Sequence, residues 1–298
     1  MVLWSSSHVM GTACTHKDVD MVTETDAWLV PEDCTELTLA GRGVDDEGAT
    51  KLAVALRTDR SRNVVTRLTK LELWNNRIGV AGAKALAAAL ADNDVLRELH
   101  MNGNHLGDDG VIAIAKALGK NKALRRLGLA MNRVGIPGAN GISEALGKNT
   151  GLTYLELGKN NIGDAGCSAI APALTGNTAL TTMWLGGNSE WQARSHCRRR
   201  PPPPLLVARL LAQCLTRPPP RFPPRCCRVL RTRPGIGNHG ARALAAGLAD
   251  NHHLLHLMFE DNPIDDNKAH LEIETALTRN RRGVLPPDAN DEQPRIEL

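Results

Sequence analysis

Aromatic residues are scarce in this sequence. Its 298 residues include five Trp, one Tyr and two Phe, so aromatic side chains make up 3% of the chain, whereas hydrophobic residues make up 42%. A chain of this length can bury a continuous core. That core must be aliphatic, because so few rings are available to fill it.

Long apolar runs are also missing. No apolar stretch follows a charged start at the N-terminus, so we expect no signal peptide. Residues 205–215 are apolar but too short to span a bilayer, and they contain Arg209. The seven cysteines are an odd number without the spacing of a disulfide framework. We therefore expect a cytoplasmic protein that is neither secreted nor inserted in a membrane.

Signatures of catalysis are absent as well. Ser, His and Asp are plentiful, but none recurs as a nucleophile elbow, a metal pair or a phosphate loop. His252 and His253 follow Asn251 at a predicted helix end, where we expect solvated side chains rather than ligands. The sequence predicts no enzyme activity, no cofactor and no metal.

A fixed period of 28 residues dominates the sequence. Each period repeats the pattern LxxLxLxxNxIGxxGxxxLxxxLxxN, and it starts at Leu68, Leu96, Leu124, Leu152 and Leu180. Regular self-similarity at roughly 20 to 30 residues indicates a stacked array of identical supersecondary units. Such a surface is typical of binding, but it does not identify the partner.

Each unit begins with a short predicted strand. Leu71 and Leu73 point to one face of the strand, and Glu72 and Trp74 point to the other. Seven such units can be counted by their strand anchors, which are Leu37, Leu71, Leu99, Leu127, Leu155, Met183 and Leu257.

An asparagine follows the strand at a constant offset. Its amide can both donate to and accept from backbone groups that the turning chain leaves unpaired, and losing such a partner costs roughly 1–3 kcal/mol per group. The predicted structural ladder consists of Asn76, Asn104, Asn132, Asn160, Asn188 and Asn262.

The second half of each unit has helical periodicity, as in Leu86 and Leu90, four residues apart on one face. The residues expected to cap these helices are Asp46, Asp108, Asp164, Asn238 and Asp266. The predicted fold is therefore α/β, a horseshoe-shaped solenoid with a parallel β-sheet on its concave face and α-helices on its convex face.

The 28-residue period and the helical segment GAKALAAAL at residues 82–90 resemble the ribonuclease-inhibitor subtype of leucine-rich repeats. That subtype also forms the repeat regions of NOD-like receptors and the body of the Ran GTPase-activating protein. The resemblance covers about residues 34–282, less one insertion. It implies a protein-binding surface, and no P-loop ATPase module occurs in these residues.

The pattern divides the chain into segments. We expect an N-terminal cap in residues 1–33, where Trp28, Leu29 and Val30 cover the open core, and repeats in residues 34–188. The last repeats and a C-terminal cap occupy residues 235–282, including a degraded helix at 269–277. Residues 283–298 are expected to be a disordered tail.

Residues 189–234 interrupt the sixth unit. They contain eleven Arg, ten Pro and one acidic residue, and they include Cys197, Cys214, Cys226 and Cys227. Three interpretations remain open. The segment is a disordered excursion or sequence that normal processing removes, a Pro- or Arg-rich docking tract, or a metal or redox element.

The insertion also carries the basic excess. Without it 25 basic and 31 acidic residues remain, and the formal charge changes from +4 to −6. We therefore expect no nucleic-acid binding by the repeats, and only the Arg-rich segment could contact RNA.

We predict that the chain is a non-catalytic scaffold with a regulatory role, and that a protein partner binds its concave face. Large exposed Trp, Tyr and Arg residues dominate binding hot spots. The predicted partner-binding residues are Trp74, His100, Arg126, Tyr154, Trp184 and Met258. An equally simple alternative is that these side chains only shield the sheet.

A second functional hypothesis is implied by the resemblance to the Ran GTPase-activating protein, which presents an arginine-bearing edge to its partner. Here Arg42, Arg77 and Arg133 follow predicted strands on the corresponding side. They are also ordinary positions for solvated loop residues.

Overall fold

The computed structural model describes residues 12–15, 20–22, 27–29, 34–56, 67–188 and 235–284. The strands are β1 (Thr12–Thr15), β2 (Asp20–Val22), β3 (Ala27–Leu29), β4 (Cys34–Thr38), β5 (Lys70–Glu72), β6 (Glu98–His100), β7 (Arg126–Gly128), β8 (Tyr154–Glu156), β9 (Thr182–Trp184) and β10 (His256–Met258). The helices are α1 (Asp46–Leu56), α2 (Val80–Asp92), α3 (Gly107–Lys120), α4 (Ile136–Leu146), α5 (Gly163–Gly176), α6 (Asn238–Leu248) and α7 (Asn267–Val284). The insertion at 189–234 and Val30 lie outside the described residues.

Eight strands form one parallel sheet in the order β1-β4-β5-β6-β7-β8-β9-β10. The leucines that anchor successive strands pair directly across it, as Leu71 does with Leu99 and Leu99 with Leu127. All three side chains are buried, because they face the helices that cover the other side of each unit. The predicted α/β leucine-rich repeat horseshoe is thus confirmed, with the sheet on the concave face and the helices on the convex face.

The repeat stack continues across the inserted residues. Strand β10 pairs with β9 in the same parallel register as the earlier strands, and α6 packs against α5. Asn251, in the unit after the insertion, donates to the carbonyls of Leu174 at 2.6 Å and Asn177 at 3.1 Å. The units on either side of residues 189–234 therefore pack as direct neighbours.

The asparagine ladder ties each unit to the one before it. Nδ2 of Asn160 donates to the carbonyls of Leu129 and Leu157 at 3.0 and 2.9 Å. Its Oδ1 accepts from the backbone N–H groups of Asn132 and Val134 at 2.8 and 3.0 Å. One buried amide thus satisfies four backbone groups of two consecutive units. Buried members are Asn76, Asn104, Asn132, Asn160 and Asn188.

Asn262, at the end of this ladder, is only half-buried. Its Nδ2 donates to Leu185 and Phe259 as expected, but its Oδ1 accepts no hydrogen bond within the described part of the chain. In an intact unit this oxygen binds a loop N–H of the preceding repeat, as Oδ1 of Asn104 binds that of Ile78. The corresponding loop here is the one that residues 189–234 interrupt.

A second asparagine ladder, which was not predicted from the sequence, lies at the other end of the helices. Nδ2 of Asn149 donates to the carbonyls of Leu118 and Asn121 at 2.7 and 2.8 Å, while its Oδ1 accepts from the N–H groups of Gly151 and Leu152. This ladder could have been predicted from the asparagine that ends each repeat of the sequence pattern. The buried members are Asn93, Asn121, Asn149, Asn177, Asn251 and Asn280.

The predicted caps need a correction. Oδ1 of Asp108 accepts from the N–H groups of Gly135 and Gly138 at 2.7 and 3.0 Å, so this carboxylate caps α4 rather than its own helix α3. Asp46 caps α2 and Asp164 caps α6 in the same way. Neighbouring helix starts lie side by side in the stack, which puts the next helix within reach of the carboxylate.

The last two predicted caps behave differently. Asp266 caps its own helix α7, since its Oδ1 accepts from the N–H groups of Lys268 and Ala269 at 3.1 and 3.2 Å. Oδ1 of Asn238 accepts from the N–H groups of Asp265 and Asp266 in the following unit. Helix α7 also extends beyond the predicted 269–277 at both ends.

The expectation of no disulfide pairing is wrong at the N-terminus. Cys14 on β1 and Cys34 on β4 form a disulfide, with their Cα atoms 5.9 Å apart. The parallel pairing of β1 with β4 brings these residues together, although 20 positions separate them in sequence. Cys167, by contrast, is a free thiol whose pKa burial raises to about 12.

Candidate functional site

The inner face of the sheet presents one row of side chains, from Glu36 of β4 and from the first residue of each of the strands β5 to β10. Direct pairing in the register places these side chains beside one another. The row consists of Glu36, Lys70, Glu98, Arg126, Tyr154, Thr182 and His256. Charges alternate in sign over its first four members.

Ion pairs follow this alternation at the N-terminal side. Nζ of Lys70 lies 3.0 Å from Oε1 of Glu72 and 3.6 Å from Oε2 of Glu36. The hydrogen bond to Glu72 raises the pKa of Lys70 above its usual value. For Glu72 burial is the largest single effect and raises the pKa. Hydrogen bonds from Lys70 and Thr38, together with the positive charges of Lys70 and His100, lower the pKa overall. At this end of the inner face, Glu36 and Glu72 therefore share one cation, Lys70.

The middle of the face holds a cation against an aromatic ring. The guanidinium carbon of Arg126 lies 5.0 Å from the centroid of the Tyr154 ring, and its NH1 lies 3.8 Å from Oε1 of Glu98. Oε2 of the same glutamate lies 3.4 Å from Nε2 of His100. Burial raises the pKa of Tyr154 above its usual value. Glu98 thus contacts two of the predicted partner-binding residues, His100 and Arg126, and Tyr154 joins this cluster through Arg126.

A polar bridge next to this cluster was not predicted as part of the site. Nδ2 of Asn102 on the β6 side donates to Oε2 of Glu156 on β8 at 2.9 Å. Oδ1 of Asn102 accepts from the N–H of Ala130 at 2.9 Å. The bridge crosses β7 above Gly128, where an added Cβ would lie 2.7 Å from Oδ1 of Asn102. The glycine at position 128 of the strand is the sequence feature from which this bridge could have been predicted.

Trp184 lies against the sheet rather than standing away from it. A Cβ added to Gly158 would lie 3.1 Å from Cε2 of the indole, and one added to Gly186 would lie 2.5 Å from Nε1. The two glycines therefore form the floor on which the indole rests. Trp184 is half-buried as a result, so part of its role is to cover the sheet.

Trp74 is the most exposed of the three predicted aromatic residues, with 43% of its surface accessible. It follows β5, whereas Trp184 lies on β9, so four strand spacings separate them, about 19 Å. Met258 is half-buried on β10, next to Trp184 in the register. The structure brings His100, Arg126 and Tyr154 into one cluster and leaves Trp74 at a distance from it.

The edge of the sheet after the strands carries the arginines of the alternative hypothesis. Arg42, Arg77 and Arg133 are all exposed in the loops that follow β4, β5 and β7. Arg133 borders a groove of about 640 Å³ that the loops before α4 and α5 enclose. Ile136 lines the same groove and is 47% exposed.

Two kinds of site are absent from the described ranges. They contain no group of three or more His, Cys, Asp or Glu side chains arranged to hold a metal ion. No helix within them has the length and apolar character needed to cross a membrane.

These features define the chain as a leucine-rich repeat protein in fold, and comparison with known proteins agrees. The family described as Leucine Rich repeat matches residues 66–87, 92–115 and 148–171. These segments contain parts of the second, third and fifth units. No curated protein matches the sequence.

Several solved structures match this chain. Leiomodin-1 Actin-Binding Site 2 is 18% identical over 66% of this chain and 88% of its own, with a TM-score of 0.48. The tropomodulin C-terminal domain of Caenorhabditis elegans is 14% identical over 68% and 95%, with a TM-score of 0.47. An internalin from Listeria monocytogenes is 13% identical over 83% and 86%, with a TM-score of 0.21. Likenesses at this level do not indicate what the chain binds.

Proposed function

We propose that this protein is a non-catalytic scaffold whose inner sheet face binds a protein partner. The proposal is supported by the alternation of Trp74, Tyr154 and Trp184 with buried strand neighbours, which favours an inner-face position for three of the chain's eight aromatic residues, beside Arg126. Trp, Tyr and Arg are the residue types that contribute most to protein interfaces. A parallel sheet supplies the rigid backbone that such a surface needs.

Finer assignments belong to the same proposal. The 28-residue period with an α-helix in each unit supports the ribonuclease-inhibitor subtype, as found in NOD-like receptor repeat regions. We also propose a regulatory partner and, from the sequence, a cytoplasmic location. The Cys14–Cys34 disulfide is an observation against that location, because disulfides are rare in the cytosol.

Replacement of exposed inner-face residues tests the proposal. We expect Trp74→Ala and Arg126→Ala each to weaken binding of a partner isolated from the native cell by about tenfold, as for truncated hot-spot residues. Leu271→Ala on α7 is the matched control, because it removes a large side chain that is 68% exposed and distant from the sheet. Unchanged affinity in both inner-face variants would refute the proposal.

GTPase activation is the second candidate, supported by the exposure of Arg42, Arg77 and Arg133 along one edge. An arginine presented to a bound nucleotide stabilises the charge that develops during phosphoryl transfer. Measurement of GTP hydrolysis by a Ran-like GTPase, with the protein and with its Arg133→Ala variant, decides this candidate. No acceleration by the wild-type protein would remove it.

A further inference from the structure

The carboxylate of Glu156 is positioned on the inner face but has no counter-charge there. Asn102 holds its Oε2 at 2.9 Å, and the backbone N–H of Ala130 in turn orients Asn102. The acidic residues Glu36, Glu72 and Glu98 of the same face each lie within 4 Å of a Lys or Arg nitrogen. Within the described ranges, no Lys, Arg or His forms an ion pair with Glu156.

The indole of Trp184 lies beside this carboxylate. Glu156 and Trp184 are direct partners in the register of β8 and β9. The indole packs over Gly158 and Gly186 and is half-buried, so its accessible part borders the concave space. An aromatic face and a fixed carboxylate therefore border the same volume.

The neighbouring strands show what such an arrangement accommodates. Arg126 places its guanidinium over the Tyr154 ring while Glu98 provides the opposite charge at 3.8 Å. At Glu156 and Trp184 the carboxylate and the ring recur, but the cation is missing among the described residues. Trp is the ring that binds cations best, and Arg is the cation most often found over it.

We propose that Trp184 and Glu156 form a subsite for an arginine side chain of the partner protein. The planar guanidinium stacks on the outer face of the indole and donates to Glu156 Oε1, which Asn102 leaves available. This inference rests on the proposed function, since it specifies the chemistry that the inner face recognises. It predicts a partner that presents an exposed arginine to the C-terminal half of the sheet.

The test uses the full chain and the peptide acetyl-Gly-Arg-Gly-Arg-Gly-amide as the probe. Nuclear magnetic resonance follows the indole Nε1–H signal of Trp184, which is assigned by its loss in Trp184→Phe. We expect the arginine peptide to shift this signal in a saturable way. The same peptide with citrulline, which has the shape of arginine without its charge, should leave the signal in place.

The second part of the test uses the variant Glu156→Gln, which removes the negative charge of the proposed subsite. Its side-chain oxygen can still accept from Asn102, so the bridge and the fold are retained while the charge is removed. We expect the dissociation constant of the arginine peptide to rise about fivefold or more, which is the loss of a charge-assisted contact. Glu144→Gln on α4 is the matched control, because it removes one exposed carboxylate from the convex side.

The outcomes separate this inference from the proposed function. Equal shifts with the citrulline peptide, or an unchanged dissociation constant in Glu156→Gln, would overturn the arginine subsite. If an isolated partner still depends on Trp74 and Arg126 but binds Glu156→Gln as tightly as wild type, only the subsite fails. If neither set of variants affects the partner, the inner-face proposal fails as well.

Discussion

At the scale of single residues, the aspartates at the helix starts connect neighbouring units. One oxygen of Asp108 accepts two backbone N–H groups at the start of α4, which have no acceptor within that helix. The carboxylate also lies at the positive end of the α4 dipole, where negative charge is favourable. A single side chain therefore stabilises a helix that it does not belong to.

Removal of this carboxylate should destabilise the stack. We expect Asp108→Ala to lower the free energy of unfolding by about 1–2 kcal/mol, as for loss of an N-cap side chain. Asp109→Ala is the matched control, because Asp109 lies next in sequence, is exposed and accepts no comparable bond. Equilibrium denaturation by urea measures both. Equal losses in the two variants would contradict the assigned role of Asp108.

The direction of these caps could not be predicted from sequence. The offset of Asp108 within its unit correctly placed it at a helix start, but an offset does not distinguish the residue's own helix from its neighbour. Trp184 illustrates the same limit. Its strand position predicted the inner face, whereas its orientation depends on Gly158 and Gly186, whose effect requires the register of β8 and β9.

At the scale of elements, β1 extends the sheet beyond the first repeat. It pairs in parallel with β4, and Cys14 is buried at the end of the core that it covers. The sequence predicted an N-terminal cap but assigned it to Trp28, Leu29 and Val30, because β1 has none of the leucine spacing that identified the other strands of this sheet. The structure places Trp28 and Leu29 on β3, which lies against α1.

The disulfide that fixes β1 should contribute measurably to stability. A cross-link between positions 20 residues apart restricts the unfolded chain, which corresponds to about 3 kcal/mol. We expect a reducing agent to lower the thermal midpoint of the wild-type protein. Cys14→Ala should have the lower midpoint already and should not respond to the reductant. A wild-type midpoint that is the same under both conditions would exclude a stabilising cross-link.

At the scale of the whole molecule, residues 189–234 divide the chain in sequence but not in space. Gly237 and Gly240 after the insertion donate to Asp164 before it, at 2.6 and 2.9 Å. The repeat pattern predicted this continuity, since the frame resumes at Ile236. The pattern could not predict that Oδ1 of Asn262 accepts no hydrogen bond from the described residues, because that bond depends on the loop that residues 189–234 interrupt.

Deletion of residues 189–234 should leave a folded protein. The joined sequence Asn188-Gly235-Ile236 restores the spacing of the other units and supplies a loop N–H for Asn262. Shortening the connection stabilises the stack by up to about 3 kcal/mol in loop entropy. Urea denaturation measures the gain, and a variant with a Gly-Ser segment of equal length is the control. Loss of folding on deletion, with folding retained in that control, would contradict the prediction.

The capping aspartates alternate along the repeats, and this alternation determines how many repeats can be lost or gained without the loss of a cap. Asp46, Asp108 and Asp164 occur in every second unit, and the intervening units have Val80 and Ile136 at the same position. Loss of an Asp-bearing unit, such as the one with Asp108, would place the Val80 and Ile136 units side by side and leave the start of α4 without its carboxylate. Loss or gain of two consecutive units preserves the alternation, so we expect repeat number to change in pairs with the least cost in stability.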